Sequence, residues 1–107
     1  MTTFDDRERS FETKFAHDAE LRFKAEARRN RLLGEWAAEL LGKSGDDARS
    51  YALTIVTSDF EEPGEGDVLR KLLGDLTSAG VDCDEAQVRE AMDRLLVDAR
   101  RQLIEEI

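Results

Sequence analysis

From Met1 to Leu33 the chain contains neither proline nor glycine, and its one proline stands at position 63. Proline removes a backbone donor and glycine weakens a helix interior, so a stretch this long without either invites a long helix. The apolar residues support it. Phe15, Ala19, Phe23 and Ala27 recur every fourth residue, and Leu33, Trp36, Ala37, Leu40 and Leu41 continue at helical spacing. A first helix is therefore expected from about residue 4 to Leu41, stopped by Gly42 and the adjoining "KSGDD".

Three further helices are expected by the same reasoning. The second spans about Asp46–Phe60, with Ser44 or Asp46 as its cap and Asp47 favouring the first turn. Its centre, "YALTIVT", is rich in β-branched residues and also reads as a strand. No second convincing strand exists to pair with it, and a lone strand leaves its backbone groups unsatisfied, so a helix is expected. "EEPGEGD", residues 61–67, is a loop. The third helix spans about Asp67–Ala79, turns Val68, Leu69, Leu72, Leu73 and Leu76 inward and stops at Gly80. The fourth starts near "DCDE", where Asp82 with Glu85, or Asp84 with Gln87, resembles a capping box. Val88, Ala91, Met92, Leu95, Leu96, Ala99, Leu103 and Ile107 form its stripe. The core is expected from the back half of the first helix and the other three.

Composition narrows the function. The 107 residues fit one domain with a small core. The net charge of −9 disfavours nucleic acid as a partner. No apolar run is long enough to span a membrane and no signal-peptide core comes after Met1, so no membrane insertion is expected. The single Cys83 cannot form an internal disulfide and suits a reducing cytoplasm. Residues 1–43 hold nine acids and nine bases, whereas residues 44–107 hold sixteen and seven. The front of the chain is thus expected to face a different environment from the back.

Several short motifs invite chemistry and fall short. "LLGKSG", residues 40–45, resembles the tail of a phosphate-binding loop, but Ala37 stands where that pattern needs glycine, and a helix rather than a strand precedes it. A helix stop and then a helix start explain it better, with a weak nucleotide contact at Lys43 and Ser44 as the competing reading. "DCDEAQVRE", residues 82–90, begins like a calcium loop, yet Ala86 and Gln87 occupy a ligand position and the glycine position. His17, the only histidine, lacks a supporting cluster for a metal site. Acidic neighbours oppose thiolate formation at Cys83. No nucleophile, base and oxyanion site assemble, so neither an enzyme nor a cofactor is expected. Lys24, Arg28 and Arg31 share one side of the first helix and suit either an acidic partner or the chain's own acids.

The first fifteen residues hold three of the five phenylalanines. On a helix, Phe4, Phe11 and Phe15 fall within roughly 40° of one another. Glu8 interrupts that ridge, so folding it onto the chain's own core would bury a carboxylate. Two arrangements stay open: the segment extends the first helix over the bundle, or it becomes helical only in the groove of a target.

The run "FDDRERSFETKFAHDAELRFKAEARRNRLLGEWAAELLGKSG" resembles the start of the ATPase inhibitor subunit zeta family. These are small proteins attached to bacterial F-type ATP synthases, mainly of alphaproteobacteria. "KFAHDAE", "EARRN" and "LLGEWAAELLGK" carry the likeness, which extends over nearly the whole chain. The resemblance implies an inhibitory N-terminal segment, residues 1–18, and a four-helix globular domain, residues 19–107. It implies that the segment enters the catalytic head between nucleotide-binding subunits, near the rotor shaft, and blocks rotation in the hydrolytic direction. Phe4, Asp5, Arg7, Glu8, Phe11, Lys14, Phe15 and His17 are then the expected partner-binding residues. The protein is expected to be a monomer when free, cytoplasmic, and peripheral to the inner membrane through the synthase. The expected architecture is all-α: a four-helix bundle-like domain with a long first helix and a mobile or partly helical N-terminal segment. A free-standing helical adaptor or a nucleotide-sensing protein is the alternative.

Overall fold

The computed structural model describes residues 18–61 and 65–106 and is built from four helices: α1 (Ala19–Leu40), α2 (Gly45–Glu61), α3 (Glu65–Ser78) and α4 (Glu85–Glu106). No strand occurs among the described residues. None of their helices is long and apolar enough to cross a membrane.

α1 does not run unbroken from residue 4. Asp18 has an extended backbone (φ −100°, ψ 108°), outside the helical region. Its carboxylate Oδ1 accepts the N–H of Glu20 at 3.0 Å and of Leu21 at 3.2 Å. Those are two of the first-turn donors that a helix leaves without partners, so Asp18 is a true N-cap. The other end closes as the glycine spacing suggests. Gly42 takes a positive φ of 76°, its N–H reaches the Glu39 carbonyl at 3.1 Å, and the Lys43 N–H reaches Ala38 at 2.9 Å. This pair of bonds is a Schellman stop.

"YALTIVT" is helical. Ala52 and Ile55 point into the core, while the exposed Thr54 and Thr57 hydroxyls donate to the Tyr51 and Leu53 carbonyls at 2.6 and 3.1 Å. Threonine hydroxyls can bond back to the preceding turn in this way, so β-branching does not force a strand. α3 starts two residues earlier than the sequence suggests and ends in a second Schellman stop. There the Val81 N–H reaches Leu76 at 2.9 Å and the Gly80 N–H reaches Thr77 at 3.0 Å. Of the two capping boxes the sequence allows, Asp84 with Gln87 forms. The Asp84 N–H meets Gln87 Oε1 at 2.9 Å, and the Gln87 N–H meets Asp84 Oδ1 at 2.8 Å.

The main core joins Leu33 and Ala37 of α1, Ile55 of α2, Val68, Leu72 and Leu76 of α3, and Val88, Ala91 and Met92 of α4. Trp36 packs half-buried on its edge. A smaller cluster pairs Ala25 of α1 with Leu103 of α4.

The front of α1 faces differently from the fourfold recurrence read in the sequence. Ala19 is exposed and Phe23 is 55% exposed, whereas Ala25, Arg29 and Asn30 are buried. Ala25 lies about 200° around the helix from Phe23, on the side that meets the end of α4.

Candidate functional site

The expected partner-binding residues Phe4, Asp5, Arg7, Glu8, Phe11, Lys14, Phe15 and His17 lie outside the described residues. The described chain begins at the point where they join the body, at the Asp18 cap. An open groove of about 850 Å³ starts beside that junction. Its α1 wall carries Leu21, Phe23, Ala27 and Arg31 among others, and its α2 wall carries Arg49, Ala52, Leu53 and Val56. Leu103 and Glu106 close one end from α4. Ala52 and Leu103 are buried, Leu21, Ala27 and Val56 half-buried, and Leu53 stands 62% exposed.

Bases edge this apolar surface. The Arg28 guanidinium makes two hydrogen bonds to the Glu106 carboxylate, at 2.5 and 2.9 Å, tying α1 to the end of α4. Through them it holds Glu106 below the usual carboxylate range, helped by the charges of Arg28 and Arg31. Lys24 pairs with Glu20 at 3.1 Å, Arg31 with Glu35 at 3.9 Å and Arg49 with Asp46 at 2.7 Å. Of the two partners the sequence allows for Lys24, Arg28 and Arg31, the chain's own acids are therefore engaged. Exposed pairs of this kind contribute little and exchange readily.

At the α1–α2 turn, Lys43 gives its backbone N–H to the Ala38 carbonyl, so that amide is committed to the helix stop. Its ammonium lies 5.9 Å from the centre of the Tyr51 ring, and Lys71 lies 5.7 Å from the same centre. The Tyr51 hydroxyl donates to Asp75 Oδ2 at 2.8 Å, and Lys71 reaches the same oxygen at 3.1 Å. Burial, then the bond to Asp75 and its charge, push the Tyr51 phenol well above its ordinary value. Ser44 is exposed and its carbonyl accepts the Ala48 N–H at 3.3 Å. Asp46 and Asp47 occupy the first turn of α2, where carboxylates complement the helix dipole that would otherwise attract a phosphate.

Burial first, then Asp84 and Asp82, raise the Cys83 thiol, which keeps it protonated. Among the described residues no three His, Cys, Asp or Glu side chains gather as a metal site.

Sequence reasoning missed a buried polar pair. Arg29 is 2% exposed and Asn30 fully buried, and the Arg29 guanidinium donates to Asn30 Oδ1 at 3.1 and 2.9 Å. Inside "KAEARRNR" nothing marks Arg29 and Asn30 as buried while Lys24, Glu26 and Arg31 stay exposed. Only the packing of α1 against the other helices selects it.

A family model described as ATPase inhibitor subunit zeta matches residues 1–102. The chain belongs to that family. As a member of the ATPase inhibitor subunit zeta family it has an inhibitory role toward an ATPase, and membership implies interaction with ATP synthase. Among solved structures, the fold recurs in a solution NMR structure that shares 52% sequence identity with the chain. The two superpose with a TM-score of 0.72, and the alignment covers 81% of this chain and 99% of the other. None of the curated proteins matches the chain.

Proposed function

We propose that this zeta-family chain inhibits ATP hydrolysis by an F-type ATP synthase through residues 1–17, with the four-helix body as carrier. In this reading the N-terminal segment inserts as a helix into the catalytic head, between nucleotide-binding subunits and beside the rotor shaft. Phe4, Phe11 and Phe15 are its anchors, and Asp5, Arg7, Glu8, Lys14 and His17 flank them. The protein works at the cytoplasmic face of the inner membrane, held there by the synthase, and is a monomer when free.

The single observation that carries this reading is the family match, which takes in the segment as well as the body. The Asp18 cap supports the division of labour, because the body's first helix is closed by its own residue. Inhibition of a rotary enzyme needs no reacting group. It needs a ligand that fits one rotational state better than the others, which traps the cycle there. A folded carrier with a second contact raises the effective concentration of the segment at its target.

Deleting residues 2–17 tests the assignment. The helical circular dichroism of the body is expected to persist while inhibition of ATP hydrolysis by the cognate synthase disappears. Full inhibition by the shortened protein would refute it.

A further inference from the structure

Asp18 stops a helix where the sequence offers nothing else to stop it. Neither proline nor glycine lies between Met1 and Leu33, so the break at the start of α1 is made by one side chain. Asp18 has a ψ of 108°, and a helix does not run through a residue in that conformation. Its Oδ1 takes the Glu20 and Leu21 N–H groups, while its carbonyl takes the Arg22 N–H at 3.0 Å as the first bond of α1.

The break decides a rotational phase. Phe11 and Arg29 are eighteen residues apart, as are Phe15 and Leu33, and eighteen residues make five full helical turns. Arg29 and Leu33 are buried, so they mark the side by which α1 meets the other helices. An uninterrupted α1 would therefore aim the Phe11 and Phe15 rings along the side that the bundle occupies. With the helix stopped at Asp18, the direction of the rings is no longer tied to the direction of the core.

We propose that Asp18 is a positioning residue for inhibition: by interrupting the helix it frees the aromatic ridge of residues 4–15 from the phase of α1. The ridge can then face the catalytic head while the body keeps its own orientation. The proposal rests on the inhibitory reading above and deepens it by naming the joint between segment and carrier. What the joint needs is a backbone interruption, which a neutral cap or a proline also supplies.

The test uses the full-length protein carrying Asp18→Ala, Asp18→Asn or Asp18→Pro. Alanine removes the cap and lets a helix pass. Asparagine keeps a capping oxygen. Proline removes the cap as alanine does, yet its ring and missing N–H still bar a helix from passing through residue 18. Helicity is read by circular dichroism, and inhibition by ATP hydrolysis of the cognate synthase. Asp18→Ala is expected to gain helicity and to weaken inhibition about fivefold to tenfold, the equilibrium shift that one lost cap brings. Asp18→Asn and Asp18→Pro are expected to inhibit like the wild type. Equal losses with alanine and proline would reduce Asp18 to a stabilising cap and overturn the proposal. Loss with asparagine overturns it too, as does an alanine variant that gains no helicity, or that gains helicity and still inhibits fully. Each of these results leaves the inhibitory reading standing, whereas a wild-type protein that does not inhibit overturns both.

Discussion

Gly34 of α1 and Ala52 of α2 touch backbone to backbone: a Cβ added to Gly34 would lie 2.5 Å from the Ala52 Cα and 3.0 Å from its Cβ. The contact sets how closely the first two helices pack, and these helices form the walls of the groove. Gly34→Ala therefore forces the helices apart. It is expected to destabilise the fold by about 1–3 kcal/mol, although alanine is the better helix former. Gly74 of α3 is the control, because an added Cβ there meets nothing within 4 Å. Gly74→Ala is expected to stabilise by about 0.5–1 kcal/mol. Thermal unfolding of the two variants should shift in opposite directions.

The Asp84–Gln87 box closes the start of α4 with two reciprocal bonds. Asp84→Ala is expected to cost about 0.5–2 kcal/mol. Urea unfolding would show this as a lower midpoint with an unchanged slope.

Tyr51 makes the fold sensitive to alkali. Burial and Asp75 keep the phenol protonated in the folded state beyond the pH at which the unfolded chain loses its proton, about 10. Above that pH the unfolded chain binds fewer protons than the folded one, so stability falls as pH rises. The contribution is present in full below about pH 10 and declines above it. Absorbance titration should show Tyr51 ionising late, and Tyr51→Phe should flatten the alkaline loss of stability.

The proposed inhibitory segment makes its own prediction. Phe4→Ala, Phe11→Ala and Phe15→Ala should each weaken inhibition of ATP hydrolysis by about 1–3 kcal/mol, the range of an aromatic hot spot. Three unchanged inhibition constants would remove the aromatic anchors from the account.

Glu106 should titrate below an ordinary glutamate in the folded protein, because Arg28 donates to its charged form. A lowered value contributes stability above the unfolded glutamate range and loses it as pH falls through the folded value. Arg28→Ala should return the Glu106 carboxyl to its usual range in an NMR titration.

Much of this architecture is written locally. Gly42 and Gly80 mark both Schellman stops because only a residue tolerant of positive φ fits there, and a single position reveals it. Asp84 and Gln87 are legible because a cap needs nothing beyond its own turn. "YALTIVT" is decided by the absence of a strand partner, a property of the whole chain. The facing of α1 is not local. A fourfold recurrence containing Phe23 suggests one buried side, yet the structure buries Ala25, Arg29 and Asn30, because burial depends on where the end of α4 arrives. The groove escapes for the same reason: Lys24, Arg28 and Arg31 are legible as one side of α1, but Arg49, Ala52, Leu53 and Val56 face them only when two helices lie side by side. The proposed inhibitory role of residues 1–17 rests on their phenylalanines and on family likeness.

Asp18 carries a last consequence. A helix that supplies its own lid has no need of the preceding chain to start. Unrelated leaders could then be spliced ahead of residue 18 without unfolding the four helices behind it, and this small bundle would serve as a ready-made handle for them.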